Sequence, residues 1–96
     1  MPNPAVPTPA VPTPPVRLTL IGKPECHLCD VAHDVVDRVA DELGQDRVMV
    51  EQYSILDDPA LYDRYWEQIP VLLVNDVEHA HWRIDPDRLR AAILEV

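Results

Sequence analysis

The longest hydrophobic pattern in the chain predicts a helix that begins at or just after Cys26. Apolar residues recur there at the i, i+3 and i+4 positions, and charged residues take the opposite face. Gly44 follows the pattern, at a position where helices commonly end in a left-handed residue. The residues predicted to face the core are Leu28, Val31, Ala32, Val35, Val36, Val39, Ala40 and Leu43.

Short runs of β-branched and other apolar residues, each bounded by turn residues, predict strands. Four such segments are present: Arg17–Gly22, Arg47–Tyr53, Val71–Val74 and Val77–Trp82. The third is wholly apolar, which is typical of a strand that is covered on both faces. Asn75 and Asp76 separate the last two segments and predict a tight turn, so these segments should form a hairpin.

Two further helices are predicted by an acidic cap that is followed by proline in the first turn, at Asp57-Asp58-Pro59 and Asp85-Pro86. The first must end before Pro70, because the residue that precedes a proline avoids helical angles. Its apolar residues are expected to pack as a core stripe: Leu61, Tyr62, Tyr65 and Trp66. The last helix should direct four residues inward: Leu89, Ala92, Ile93 and Val96.

The predicted order of elements is β-α-β-α-β-β-α, which defines an α/β fold class. A right-handed crossover through the long helix makes the first two strands parallel, and the hairpin adds an antiparallel pair. The pattern therefore predicts a four-stranded mixed sheet with helices on both faces.

Residues 1–16 contain seven of the eleven prolines and no charged side chain. Proline fixes φ and removes a backbone donor, so we expect a disordered, extended Pro-rich tail and a folded domain over residues 17–96. The sequence contains neither a basic segment followed by an apolar run, as in a secretory signal, nor an apolar stretch long enough to cross a membrane. We therefore expect a cytoplasmic protein.

The chain carries 8 Lys and Arg against 17 Asp and Glu, for a formal net charge of −9. Phosphates would be repelled by such a surface, so the composition argues against nucleic-acid binding and against anionic membranes. We interpret the acidity as a contribution to solubility, and we expect a monomer.

The two cysteines, Cys26 and Cys29, lie three residues apart at the start of the predicted long helix. The first-turn N–H groups and the positive end of the helix dipole would stabilise a Cys26 thiolate, and the N–H of Cys29 is the expected donor. One turn of helix separates the two residues, which places them within disulfide reach. The spacing therefore predicts a dithiol in which one cysteine is exposed to attack and the other is placed to resolve the product.

Charged neighbours act on this thiolate in both directions. Lys23 and a protonated His27 favour it, whereas Glu25 and Asp30 oppose it. We expect Cys26 to be more acidic than a free thiol, though not extremely so.

Two segments, GKPECHLCD and QIPVLLV, resemble the glutaredoxin branch of the thioredoxin superfamily, and in particular short bacterial glutaredoxin-like proteins. The resemblance covers residues 17–96 and implies a thioredoxin-like fold. It also implies thiol–disulfide oxidoreductase activity, with Cys26 as the attacking and Cys29 as the resolving cysteine. By the same resemblance, Lys23 would hold a glutathione carboxylate, Pro70 would follow a cis peptide bond, and the backbone of Ile69 would pair with the substrate chain.

The sequence departs from the glutaredoxin pattern at two places. The usual C-P-Y-C motif is C-H-L-C here, and His27 would stabilise the thiolate and make the protein more oxidising. The stretch His79–Ile84 lacks the Gly-Gly pair that admits glutathione in glutaredoxins, so we expect Trp82 or Arg83 to fill that cleft. The expected substrates are therefore protein disulfides as well as glutathione mixed disulfides. No tightly bound cofactor is expected, and glutathione is one candidate reductant.

Two other interpretations start from the same residues. Cys26 and Cys29 could bind zinc together with His33 and with His79 or His81, or they could hold an iron–sulfur cluster. Strong zinc motifs supply a second clear ligand pair, which this chain lacks. Alternatively, the domain could be a non-catalytic binding module that docks partners through the aromatic residues of its second helix.

Overall fold

The computed structural model describes residues 14–96, and its elements follow the predicted order. They are β1 (Val16–Gly22), α1 (His27–Leu43), β2 (Val48–Ser54), α2 (Pro59–Tyr65), β3 (Val71–Val74), β4 (Val77–His81) and α3 (Pro86–Glu95). Residues 1–13 of the predicted tail lie outside the described residues. Strand β1 begins at Val16, one residue before the predicted domain boundary, because Val16 pairs with Val48 and donates its N–H to the carbonyl of Arg47.

The four strands form one mixed sheet in the order β2-β1-β3-β4. β1 and β2 are parallel, and β3 is antiparallel to both β1 and β4. Asn75 and Asp76, with φ of 49° and 69°, form the tight turn between β3 and β4. The predicted fold class and hairpin are therefore confirmed.

Each face of the sheet carries its own buried cluster. The cluster beneath α1 and α3 contains Leu18, Leu20, Ala32, Val36, Val39, Val48, Leu72, Val74, Ile84, Leu89 and Ile93. The smaller cluster beneath α2 contains Ile21, Ile55, Tyr65 and Val71. The helices therefore cover both faces of the sheet, as predicted, and the central strands β1 and β3 supply both cores.

The helix boundaries follow from local chemistry. The side chain of Asp58 accepts the N–H of Ala60 at 2.9 Å, and Asp85 accepts that of Asp87 at 2.9 Å, so each acts as an N-cap before a first-turn proline. Gly44 ends α1 with φ of 91°. Among the helices of residues 14–96, none is long and apolar enough to cross a membrane.

The predicted core stripe on α2 is wrong for two of its aromatic residues. Tyr62 and Trp66 are 44% and 51% exposed, and their rings stack on each other at a centroid distance of 6.3 Å. Leu61 and Tyr65 form the neighbouring i, i+4 row, which packs on the sheet. A helix of seven residues buries only one such row, and the sequence pattern does not distinguish the two.

Three aliphatic residues predicted to face the core are also exposed. Leu28 and Val31 in the first turns of α1 border a groove opposite Trp82 and are 37% and 44% exposed. Val96 lies beyond the last residue of α3 and is exposed as well.

Candidate functional site

Cys26 and Cys29 lie at the N-terminus of α1 and are joined by a disulfide, with their Cα atoms 5.2 Å apart. Cys26 is the N-cap residue and is half-buried, whereas Cys29 lies in the first turn and is only 7% exposed. The two cysteines therefore differ in exposure: Cys26 is partly accessible to solvent, and Cys29 is almost fully covered by the protein.

The Cys26 sulfur lies where the helix N-terminus can act on it. Its Sγ accepts the backbone N–H of Cys29 at 3.2 Å, which is the contact predicted from the sequence. Asp30 donates its N–H to the Cys26 carbonyl at 3.0 Å and so begins the helical hydrogen-bond ladder. Glu25, with φ of 58°, turns the chain immediately before the cap. An N–H donor and the positive end of a helix dipole both stabilise a thiolate at this position.

Gly22, the last residue of β1, permits the close packing of Cys29 against the sheet. A Cβ atom at this glycine would lie 2.9 Å from the Cys29 Sγ and 3.2 Å from its Cβ. Real Cβ atoms essentially never approach another atom at 2.9 Å, so the contact requires glycine. The sequence pattern did not predict this role, which depends on how α1 packs on β1.

Pro70 lies at the same end of the sheet as the dithiol. Val71 pairs with Ile21 in the antiparallel register, so Pro70 lies beside Gly22, which contacts the Cys29 sulfur. The peptide bond between Ile69 and Pro70 is cis, as the resemblance to glutaredoxins implied. Pro70 is fully buried and Ile69 is half-buried.

Trp82 follows β4 and is joined to the segment that leads into the cis bond. Its backbone N–H donates to the carbonyl of Pro70 at 2.8 Å, and its indole N–H donates to the carbonyl of Glu67 at 3.1 Å. Its φ of 65° is in the left-handed region that normally favours glycine. The half-exposed side chain lines a groove of about 230 Å³ with Leu28 and Val31. The sequence predicted Trp82 at this place but not the two aliphatic residues opposite it.

A larger cleft, of about 530 Å³, reaches the buried cysteine from between α1 and β2. Its lining includes Cys29, Lys23 and His33 together with Asp30, Tyr53 and Asp57. Lys23 therefore shares a cleft with Cys29, whereas His27 is exposed at the first position of α1. His33 was expected to be a surface or half-buried residue of the helix, with zinc binding as the alternative, and it is half-buried. Its i+4 spacing from Cys29 was the signal for a shared face.

The residues considered for zinc do not assemble into a site. Within residues 14–96, no group of three or more His, Cys, Asp or Glu side chains is placed to hold a metal ion. His33 and His81 lie instead beside carboxylates of their own segments, at 3.4 Å from Asp37 and 3.6 Å from Glu78. Burial, and to a lesser extent the charge of Arg88, lowers the pKa of the third candidate, His79.

The sheet order, the helices on both faces and a Cys-x-x-Cys pair at a helix N-terminus define a thioredoxin-fold protein with a redox-type site. Chloroplastic thioredoxin z has the same fold, with a TM-score of 0.67 at 16% identity over 85% of this chain and 78% of that chain.

Residues 17–94 match the family model "Glutaredoxin-like domain (DUF836)", and the chain belongs to that family. The crystal structure of XcR50 from X. campestris is similar, with 32% identity and a TM-score of 0.66 over 82% of this chain and 97% of that chain. Ne2328 from Nitrosomonas europaea gives 28% identity and a TM-score of 0.65, over 81% and 91% of the respective chains. Among sequences, the uncharacterized protein Rv0508 of Mycobacterium tuberculosis is 28% identical over 79 residues, which is 80% of this chain and 81% of its own length.

Proposed function

We propose that the protein is a thiol–disulfide oxidoreductase that reduces or exchanges disulfides through Cys26 and Cys29. The observation that carries the proposal is the asymmetry of the pair. Cys26 caps the helix and is half-buried, and Cys29 lies buried behind it with a Cα separation of 5.2 Å. A reachable nucleophile with a covered partner at bonding distance is what a two-step exchange requires.

In the first step, the Cys26 thiolate attacks one sulfur of a substrate disulfide. The substrate disulfide breaks, a mixed disulfide forms on Cys26, and the departing sulfur leaves as a thiolate that takes up a proton. In the second step, Cys29 loses its proton and attacks the Cys26 sulfur, which releases the other substrate thiolate. The substrate has then gained two electrons, and the protein holds the internal disulfide. Two equivalents of glutathione, or a dithiol reductase, return the pair to the reduced state.

Trp82 supports protein disulfides, rather than glutathione alone, as the substrate class. Its side chain stands in the stretch where glutaredoxins have glycines. The indole N–H donates to the carbonyl of Glu67, and the backbone N–H donates to the carbonyl of Pro70. Whole ligands generally occupy pockets of about 300–1,000 Å³, whereas the groove beside Trp82 measures about 230 Å³. A groove of this size suits one apolar side chain of an extended substrate. The reduced resting state would require a reducing compartment such as the cytosol.

The trapping experiment uses Cys29→Ser, which lacks the resolving thiol. Reduced Cys29→Ser should form a stable mixed disulfide with an oxidised model protein, such as insulin, because nothing displaces the captured sulfur. Intact-mass analysis would show one adduct per chain, removable with dithiothreitol. We expect the wild type to release reduced insulin instead of retaining it.

Cys26→Ser is the matched control, because it keeps one thiol of the motif but removes the exposed one. It should form no adduct on the same timescale. Capture by Cys26→Ser at the rate of Cys29→Ser would contradict the assigned roles. Faster and more complete trapping of glutathione than of insulin would contradict the proposed preference for protein disulfides.

A further inference from the structure

Three side chains of α1 form a row along one face of the helix. Cys29, His33 and Asp37 follow at i, i+4 and i+8, a spacing that places successive residues as neighbours. The imidazole Nε2 of His33 lies 3.4 Å from the Asp37 carboxylate. Helical side chains generally lean toward the N-terminus, so a residue at i+4 is placed to reach the turn that carries Cys29. Cys29 and His33 line the same cleft.

Cys29 has a chemical requirement that the helix N-terminus does not meet. Its own backbone N–H is directed at the Cys26 Sγ, so that donor serves the attacking cysteine. Cys29 lies inside the first turn and is 7% exposed. A thiol is mostly protonated at neutral pH, and only the thiolate attacks a disulfide, so the resolving step requires a base near Cys29.

We propose that His33 is this base, and that Asp37 orients its imidazole. The inference rests on the proposed oxidoreductase function and concerns its second step. A nucleophile next to a base that is itself oriented by a third group is the arrangement by which proteins activate weak nucleophiles. Nε2 faces Asp37, so Nδ1 is the nitrogen left to accept the proton.

The other groups that face this cleft do not replace His33. Asp30 on α1 and Asp57 after β2 are carboxylates, which are much weaker bases than imidazole. The ammonium of Lys23 and the phenol of Tyr53 carry protons of their own at neutral pH. After the transfer, the Asp37 carboxylate at 3.4 Å from Nε2 would stabilise the positive charge of the imidazolium.

The step balances without any further reactant. The S–H bond of Cys29 breaks as an N–H bond forms on His33, and the Cys29 sulfur bonds to that of Cys26. The bond between Cys26 and the substrate sulfur breaks, and its electron pair leaves with the substrate thiolate. The open cleft then passes the proton from His33 to solvent.

The test follows the reaction of the reduced full chain with 5,5′-dithiobis(2-nitrobenzoate) by stopped-flow absorbance. The first thionitrobenzoate released reports attack by Cys26 and has a rate that depends on reagent concentration. The second reports attack by Cys29 on the mixed disulfide and is independent of that concentration. Cys29→Ser defines the first phase alone.

His33→Gln should slow the second phase about 10- to 100-fold at neutral pH, because a positioned base commonly contributes about 100-fold or more to a rate. It should change the first phase less than about twofold. Asp37→Asn should slow the second phase by a smaller factor. The control His79→Gln removes a histidine that lines neither this cleft nor the groove beside Trp82, and it should leave both phases unchanged. Circular dichroism would verify that each variant is folded.

The pH profile separates a base from a structural residue. In the wild type, proton transfer to the imidazole should make the second phase less steeply dependent on pH than transfer to solvent would. In His33→Gln it should rise more steeply toward about pH 8.5, where a free thiol ionises. Equal rates and equal profiles in the two proteins would overturn the assignment of His33. Loss of the first phase in the wild type would overturn the proposed function and this inference with it.

Discussion

At the residue scale, the site depends on the contact between Gly22 and Cys29, because the missing side chain at the end of β1 leaves room for the sulfur atom on α1. The spacing of Cys26 and Cys29 was enough to predict the dithiol and its capping amide, but this contact was not predictable, because it arises from the packing of two elements that are adjacent only in the folded chain. The same holds for the cleft shared by Cys29 and His33. Sequence spacing indicates which residues share a helix face but not what lies opposite that face.

Gly22→Ala should displace Cys29, because the added methyl group would project from β1 toward the Cys29 sulfur. The added Cβ would approach the Cys29 Sγ to 2.9 Å, and the backbone of β1 and the start of α1 leave little room to move. We expect a loss of about 1–3 kcal/mol in unfolding free energy, as for overpacked cores, and a slower resolving step. Urea unfolding and thiol-exchange kinetics measure the two effects.

Gly44→Ala is the matched control for this substitution. Its φ of 91° strains any side chain, but a Cβ there meets no atom within 4 Å. It should therefore cost about 1–2 kcal/mol through the backbone alone and leave the thiol chemistry unchanged. Equal effects of both substitutions on the resolving step would contradict the role of the Gly22 contact.

His79 should make stability depend on pH. Burial, with a smaller effect from Arg88, lowers its pKa in the folded protein below the ordinary value of 6.5. The unfolded chain therefore binds more protons than the folded one as the pH falls through that region, and the unfolding free energy decreases. His79→Gln should flatten this part of the profile, measured by denaturant titration from pH 7.5 to about pH 5. A profile unchanged by the substitution would contradict the assignment.

At the element scale, start signals and strand patterns were strong enough to predict the order, the caps and the hairpin. They were not sufficient to orient α2, where two adjacent rows are apolar and only the row with Tyr65 meets the sheet. Nor did they predict that Leu28 and Val31, in the first turns of α1, are exposed. The helices α1 and α3 are joined near the C-terminal end of α1, where Arg90 of α3 donates two hydrogen bonds, at 2.6 and 2.9 Å, to the carboxylate of Glu42.

Asp85→Ala tests the start of α3 as an element. The Asp85 side chain accepts the N–H of Asp87 at 2.9 Å, and alanine would leave that donor without its cap. We expect a loss of about 1 kcal/mol in unfolding free energy, measured by urea unfolding. Asp34→Ala, at an exposed position in the interior of α1, is the control and should change stability by less than half of that amount. Equal losses would show that the cap contributes nothing specific.

At the scale of the whole molecule, the residues of the proposed site lie together at one end of the sheet. The ends of β1 and α1 bring Gly22 to the dithiol, and the sheet register brings Pro70 beside them. Trp82 links the last strand to the same place. The proposed roles follow from this arrangement: the groove between the first turns of α1 and Trp82 receives part of the substrate, and a separate cleft serves Cys29. The domain over residues 17–96 contains all of these parts, so we expect the Pro-rich segment before it to be dispensable for the exchange reaction.

A redox titration of the full chain against glutathione, read by intact mass after acid quenching and alkylation, tests the exchange chemistry most directly. Cys26 and Cys29 should interconvert reversibly between two alkylated thiols and one internal disulfide. Their midpoint potential should lie in the range of dithiol oxidoreductases, roughly −270 to −120 mV. A pair that stays fully reduced, or fully oxidised, across the whole range of glutathione poise would contradict the proposed function.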